Sequence, residues 1–169
     1  MTAVLSHDTI DVRGMIMLLV FTRLNDMNLA ALAELYMLED WRRQDDFFDG
    51  LREGFFKSPE ARYYVFSAEG VYLAALRMER TDRGLLISGL QVHSRYRRRG
   101  YGLALMRQVL SGLSEQRVFS HVSHDNQASK ALHIKVGFCM ISDTARLLDG
   151  TVTSRFGTYV FDGFMHKNG

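Results

Sequence analysis

The chain has 169 residues, of which 47% are hydrophobic and 24% are charged, and its formal net charge is +2. This composition is typical of a globular protein with a substantial core, and it excludes a disordered chain and a general polycation. Cys139 is the only cysteine. A chain with a single cysteine has no internal disulfide and no cysteine-rich metal site. This cysteine content is typical of a protein of the reducing cytoplasm.

The start of the chain consists of a polar segment and a short apolar run. Residues 1–14 are polar and aperiodic, so we expect a loose N-terminal arm there and one domain over residues 15–169. The apolar run over residues 15–21 is far too short to span a bilayer, and we expect no role at a membrane. It favours a first strand near residues 17–23.

Apolar periodicity predicts two helices and a strand hairpin after this strand. The second helix places aromatic side chains beside carboxylates, which would suit a cationic amine or polyamine. The spacing of its aromatics is also that of an ordinary buried helix face, and this interpretation is the stronger one. The helices are expected over residues 28–42 and 45–57, the strands over residues 63–67 and 71–80, and the hairpin turn at Glu69 and Gly70.

Residues 85–102 lead from an apolar strand through a cluster of arginines to a Gly-X-Gly turn that begins an amphipathic helix. Gly100 and Gly102 permit backbone conformations that other residues avoid, and they let a ligand approach closely. The first amides of a helix have no carbonyl partner and bear partial positive charge, so a pyrophosphate is a suitable ligand here. The predicted inner face of the helix consists of Leu105, Met106, Val109, Leu110 and Leu113.

Two common phosphate motifs do not fit this turn. A P-loop requires Lys-Ser or Lys-Thr after the glycines, and the dinucleotide fingerprint requires a small residue where this chain has Leu105. The segment does match Arg/Gln-X-X-Gly-X-Gly/Ala, with Arg97, Gly100 and Gly102 at the defined positions. Together with the preceding LQVHSRY, it resembles the acyl-CoA-binding motif of the GNAT superfamily of N-acetyltransferases.

A second resemblance to the same superfamily lies downstream. Residues 125–138, DNQASKALHIKVGF, are similar to its Asn…Leu-Tyr…Lys-X-Gly-Phe helix. The residues themselves indicate a helix that begins at the N-cap Asn126 and ends at Gly137. Its expected apolar face contains Ala128, Ala131, Leu132 and Val136, so His133 is predicted to lie outside the core. The matching positions are Asn126, Ser129, Leu132, His133, Lys135, Gly137 and Phe138.

The resemblance extends over about residues 17–162 and implies a fold. Three more strands are expected, near residues 118–122, 138–147 and 154–161. The implied architecture is a mixed α/β fold with a mainly antiparallel central sheet of about seven strands, flanked by about four helices.

The resemblance also implies an activity, which is the transfer of an acetyl group from acetyl-CoA to a primary amine by direct attack on the thioester. The acceptor would be a small molecule or a protein, and the enzyme a monomer or homodimer. No metal is implied. The residues expected to bind acetyl-CoA are Leu90, Val92, Arg97, Arg98, Arg99, Gly100, Tyr101, Gly102, Leu103 and Asn126.

His133 is the predicted catalytic residue. Members of the family commonly have Tyr at this position, and that Tyr is often taken to protonate the departing CoA thiolate. Histidine has an unperturbed pKa of about 6.5, against about 8.5 for a thiol, so it would also serve as a general acid.

The general base is left open by the sequence. His93, His121 and His124 lie near the ends of the two central strands, and none of these positions is diagnostic of catalysis. The adjacent His121, His124 and Asp125 lack a further defined set of ligands, so we expect no metal site there.

Two other classes of function remain possible. A non-catalytic acyl-CoA sensor would keep Arg97, Gly100 and Gly102 without the chemistry. An RNA-binding module would use the arginines together with Tyr96 and Tyr101 as exposed stacking platforms. Both tyrosines occupy positions where the GNAT pattern accepts an aromatic residue, so we expect no nucleic acid partner.

Overall fold

The computed structural model describes residues 15–113 and 116–163. The predicted N-terminal arm lies outside these residues. The four α-helices of the described part are α1 Leu29–Leu35, α2 Trp41–Glu53, α3 Tyr101–Ser111 and α4 Gln127–Val136. The strands are β1 Met17–Phe21, β2 Arg62–Ala68, β3 Val71–Thr81, β4 Gly84–Val92, β5 Arg117–Ser123, β6 Cys139–Ser142, β7 Ala145–Arg146, β8 Val152–Thr153 and β9 Phe156–Asp162.

Seven of the strands form one sheet in the order β1-β2-β3-β4-β5-β9-β6, and β7 pairs separately with β8. Neighbouring strands of the large sheet are antiparallel, with the single exception of the parallel pair β4 and β5. The predicted mixed α/β fold, with a mainly antiparallel seven-stranded sheet and four helices, is therefore confirmed.

The two parallel strands separate soon after they meet. They pair only from Leu85–Ile87 to Val118–Ser120. Beyond this point β4 continues to pair with β3 as far as Val92, while β5 pairs with β9 as far as Ser123. The main chain of residues 88–92 therefore diverges from that of residues 121–123, and we call the opening between them the wedge.

Each face of the sheet is covered by a different pair of helices. Successive side chains of a strand point to opposite faces. Accordingly, Tyr63 and Val65 of β2 pack in a cluster with α1 and α2, whereas Phe66 packs in a second cluster with α3. The predicted inner face of α3 is confirmed, because Leu105, Met106, Val109 and Leu110 are buried and Leu113 packs against the same cluster.

Several boundaries differ from the prediction because polar or left-handed residues interrupt the periodic pattern. The helix expected over residues 28–42 ends at Leu35, since Met37 adopts a φ of 54° and Asp40 caps a new helix by accepting from the amide of Arg42. The strand expected over residues 138–147 breaks after Ser142, and the chain forms the β7–β8 hairpin before β9.

Two other expectations are met. Glu69 and Gly70 both adopt positive φ, as the predicted two-residue hairpin turn requires. In α2, Phe48 is buried while Asp45 and Asp49 are exposed, which is the ordinary helix face predicted from the aromatic spacing.

Within the described residues, no helix combines the length and the apolar character needed to cross a membrane.

Candidate active site

The turn between β4 and α3 is built to expose main-chain amides. Arg98 and Gly100 adopt φ values of 61° and 83°, and the first helical hydrogen bond runs from the amide of Ala104 to the carbonyl of Gly100 at 2.9 Å. The amides of Tyr101, Gly102 and Leu103 therefore have no carbonyl partner in the helix. A Cβ atom at Gly100 would meet nothing within 4 Å, so there is open space beside this turn. Free amides at the start of a helix suit an anion.

Gly102 brings this turn close to the wedge. A Cβ atom at this position would lie 3.0 Å from Val92 Cγ2 and 3.3 Å from Leu132 Cδ1. A side chain here would crowd both neighbours, so glycine favours the close approach of α3 to β4 and α4. The N-terminus of α3 is thereby held beside the divergent end of β4.

The arginines of the turn are available to a ligand. Arg97, Arg98 and Arg99 are exposed, and no ion pair within residues 15–113 and 116–163 involves them. Tyr96 is only 8% exposed and lies beneath Arg99, whose guanidinium is 5.4 Å from the ring centroid. The idea that Tyr96 is an exposed platform for RNA bases is therefore wrong, and Tyr101 is half-buried.

Main-chain amides also line the wedge from β4. The amide of His93 donates to the carbonyl of Leu73 in β3 at 2.9 Å. Because successive amides of a strand point in opposite directions, the amides of Val92 and Leu90 are directed away from β3 and toward the wedge. The two β4 residues predicted from sequence thus belong to the same opening as the glycine turn.

His93 has a structural position at the end of β4. It is 2% exposed; its Nδ1 accepts from the amide of Arg95 at 3.2 Å, and its Nε2 lies 3.3 Å from Glu34 Oε1 of α1. Gln91 adds a second link to α1 by donating to the carbonyl of Leu35 at 3.3 Å. These contacts fix α1 against β4, although the buried Nε2 of His93 faces Glu34 without making a hydrogen bond among the described residues.

Asn126 caps α4, as predicted, by accepting from the amide of Ser129 at 3.0 Å through Oδ1. The expected apolar face of this helix is wrong in part. Ala128 and Ala131 are exposed, whereas His133 is only 3% exposed. The helix instead turns His133 toward β5, because the sheet supplies a polar partner for a histidine at this position.

The ring of His133 is fully bonded inside the core. Its Nδ1 lies 2.7 Å from the carbonyl oxygen of Ser129, and its Nε2 lies 2.8 Å from Ser120 Oγ. A carbonyl only accepts, so Nδ1 bears the proton and Nε2 accepts from the hydroxyl of Ser120. The ring also packs edge-on against Phe138. Burial lowers the pKa of His133, which favours the neutral ring with no proton at Nε2.

A cavity of about 440 Å³ lies where β4 and β5 begin to diverge. Val118 and Val122 of β5 pack with the α3 cluster, so His121 points to the opposite face of the sheet. We call this space the His121 cavity. Its polar lining is formed by Ser88, His121 and Asp149, and its apolar lining includes Leu86, Leu148 and Phe156.

Two buried polar atoms at this cavity lack a hydrogen-bond partner among the described residues, Ser88 Oγ and His121 Nε2. The Nδ1 of His121 lies 3.4 Å from Thr158 Oγ1, and that hydroxyl donates to the carbonyl of Thr144. Nδ1 is therefore the donor, and the lone pair of Nε2 is free.

The pKa of His121 is lowered by burial and, to a smaller extent, by the positive charge of Arg83, although the carbonyl of Arg146 acts in the opposite direction. A neutral imidazole with an unused lone pair is suited to accept a proton.

His124 has a different hydrogen-bond partner from His121. Its Nε2 lies 2.8 Å from the carbonyl of Asp143. Within the described residues, no group of three or more His, Cys, Asp or Glu side chains is arranged to hold a metal ion.

The sequence did not identify Ser88, Asp149 or Phe156 as site residues. They come from β4, the β7–β8 hairpin and β9, and no local motif connects these segments. His121 was recognised only as one of three histidines near strand ends. Its distinguishing property, an unpartnered buried nitrogen, depends on tertiary contacts.

Replacement of the buried His133 should destabilise the protein. His133→Phe leaves the hydroxyl of Ser120 buried without a partner, so the free energy of unfolding in urea should fall by about 1 to 3 kcal/mol. Ile134→Ala is the control on the same helix, because Ile134 is 61% exposed. An unchanged free energy of unfolding together with a large loss of kcat would instead place His133 in the chemistry.

The same variant should alter the pH dependence of stability. The pKa of His133 is lowered in the folded protein. As the pH falls through about 6.5, which is the pKa of an unperturbed histidine, the unfolded chain therefore binds more protons than the folded protein. Stability is therefore lost below that pH. Between about pH 7.5 and pH 5.5, the wild type should lose more unfolding free energy than His133→Phe. Equal losses would mean that His133 has the same pKa in the folded and the unfolded protein.

Solved structures of N-acetyltransferases share this fold. The ribosomal-protein-S18-alanine N-acetyltransferase from Escherichia coli is 17% identical, with a TM-score of 0.57, over 85% of this chain and 91% of that chain. A spermidine N-acetyltransferase chimera from Vibrio cholerae and hSSAT is 14% identical, with a TM-score of 0.65, over 92% of this chain and 100% of that chain.

A third structure, the PaiA N-acetyltransferase from Thermoplasma acidophilum in complex with coenzyme A, is 9% identical, with a TM-score of 0.58, over 86% of this chain and 99% of that chain. At such identities the three structures show a common fold. No curated protein matches the sequence.

The model of the acetyltransferase (GNAT) family matches residues 24–138. This match includes the glycine turn, the wedge and α4 and covers more than half of the chain, so the protein belongs to the acetyltransferase (GNAT) family.

Proposed function

We propose that this acyltransferase moves an acetyl group from acetyl-CoA to the primary amine of a small molecule by direct attack. The observation that supports this reaction most strongly is the wedge. It has the glycine turn with its unpaired helix amides beside it on the α3 face of the sheet and, on the opposite face, a cavity with an unpartnered basic nitrogen. Two reactants would therefore approach one opening from opposite sides.

Acetyl-CoA would bind along β4 and the glycine turn. The amides of Tyr101, Gly102 and Leu103 suit its pyrophosphate, and the exposed side chains of Arg97, Arg98 and Arg99 would add charge-assisted contacts to phosphate. The wedge-directed amides of Leu90 and Val92 would hold the pantetheine arm and the thioester oxygen. Asn126 uses its oxygen as a helix cap, and its amide nitrogen would donate to the same arm.

We infer that His121 is the general base. An acceptor amine is protonated at neutral pH, and Nε2 of His121 would take a proton from it. The neutral nitrogen then forms a bond with the carbonyl carbon of the thioester, the carbon–sulfur bond breaks, and the electron pair leaves with the thiolate, which takes up the second proton that the nitrogen loses. The amide product and CoA result, and the proton on His121 passes to solvent. The Nε2 of His93 also lacks a hydrogen-bond partner, but it faces Glu34 and does not line the cavity, whereas the Nε2 of His124 is bonded to the carbonyl of Asp143.

Protonation of the thiolate is the step predicted for His133. Its neutral ring bears no proton at Nε2, so this role would require a doubly protonated ring in a buried position. A CoA thiolate leaves readily without an acid. His133 as the acid stays a prediction, and the stability measurements above test the alternative structural role.

Acetyl-CoA should stabilise the wild-type protein, and Gly100→Asp should abolish that effect. The variant places a carboxylate in the open space before the free amides of α3. A ligand at 100 times its Kd stabilises by about 2.7 kcal/mol, which thermal denaturation detects. Gly70→Asp is the matched control, because Gly70 also has a positive φ of 80° and open space around its Cβ position. A stabilisation that survives in Gly100→Asp would exclude the glycine turn as the phosphate site.

His121→Asn should lower kcat by about 10² to 10⁴ near neutral pH. In the wild type, kcat should fall only below about pH 6.5, because the pKa of His121 is lowered in the folded protein. In the variant the rate should rise with pH until the acceptor amine itself loses its proton, near about pH 10. His124→Asn is the matched control and should keep the wild-type profile. The assignment fails if both variants retain that profile.

A further inference from the structure

A second recess adjoins the His121 cavity and differs from it in charge. Its volume is about 360 Å³, and Leu86, Leu147 and Leu148 line both spaces. The charged side chains of the second space are Arg80, Asp82, Arg83 and Arg146. We call it the arginine recess. The two spaces together form one groove on the sheet face opposite α3 and α4.

The arginines of the recess differ in how far their charges are already neutralised. Arg80 is paired with Glu60 at 2.8 Å. Arg83 donates to the main-chain carbonyl of Arg146 at 3.2 Å and lies over the ring of Phe119, so its guanidinium is held in place without an acidic partner. The side chain of Arg146 has no ion pair among the described residues. Asp82 is the single acidic residue of the recess, so the recess bears net positive charge.

The other end of the groove bears the opposite charge. Asp149 lines the His121 cavity and accepts from the amide of Thr151 at 2.8 Å. This hydrogen bond lowers the pKa of Asp149, so its carboxylate is ionised at neutral pH. An ammonium group entering the cavity would therefore meet a carboxylate and the free nitrogen of His121, with two unpaired guanidinium groups farther along the groove.

We propose that the acceptor is a small zwitterionic amine, with its amino group at His121 and Asp149 and a carboxylate or phosphate at Arg83 and Arg146. This inference rests on the proposed function and specifies its substrate class. Each of the two spaces has the volume of a small-molecule site. A polyamine would place a second cation beside Arg83 and Arg146, which is unfavourable.

The substrate class is tested by the rates of acetylation of matched amines. Amino carboxylates, amino phosphates, unsubstituted alkylamines and diamines of equal chain length are compared as acceptors for the wild type. We expect an amino carboxylate or amino phosphate to have the highest kcat/KM, by about tenfold or more over the alkylamine, and the better of the two identifies the anion. A diamine that equals or exceeds both would overturn the proposal.

Substitution of Arg146 tests which residue recognises the anion. Arg146→Gln should raise KM for the anionic acceptor by about tenfold and affect the alkylamine much less, because a charge-assisted contact is lost only with the former. Arg146→Glu should shift the preference toward the diamine. Arg43→Gln, on the exposed face of α2, is the control for a change in net charge and should leave all rates unchanged. An equal loss with every acceptor in both Arg146 variants would contradict a role in recognition.

Failure of this inference is distinguishable from failure of the proposed function. If the protein is not an acetyltransferase of amines, acetyl-CoA neither stabilises it nor reacts with any acceptor of the series. If only the substrate class is wrong, acetyl-CoA binds and an amine is acetylated, but the rates show no preference for an anionic group and no dependence on Arg146.

Discussion

The candidate active site depends on the incomplete pairing of two parallel strands. β4 and β5 share three residue pairs, and then each follows a different neighbour. The divergence exposes main-chain amides of β4 that a complete sheet would have used internally. It also joins the two faces of the sheet at one point, so that a cofactor on the α3 side and an acceptor on the opposite side would meet without a rearrangement of the fold.

The divergence is tolerated because each strand keeps its other partner. β4 pairs with β3 to Val92, and β5 pairs with β9 to Ser123, so neither strand is left without a neighbour. Gly102 allows α3 to pack directly against Val92 and Leu132. Unpaired buried polar atoms are costly and uncommon in folded proteins. Ser88 Oγ and His121 Nε2 lie where the strands separate, which is consistent with a binding function.

The sequence predicted the features that arise from short segments. The left-handed Gly100, the cap at Asn126 and the inner face of α3 follow from local rules of backbone conformation and periodicity, and the structure contains all three. His133 was misplaced because its burial depends on a hydroxyl of β5, which no local pattern of α4 reveals. The His121 cavity and the arginine recess combine the β3–β4 turn, β5 and the β7–β8 hairpin, so only the tertiary structure brings their residues together.

The central claim, that acetyl-CoA occupies the wedge and the glycine turn, is tested most directly by amide NMR of the labelled protein during titration with acetyl-CoA. The account predicts that the largest shifts affect the amides of Leu90 and Val92 in β4 and those of Tyr101, Gly102 and Leu103 at the start of α3. Amides around Arg83 and Arg146 should change little, because the arginine recess opens on the opposite face. Large shifts at Arg83 and Arg146 with unchanged signals at the glycine turn would contradict the account.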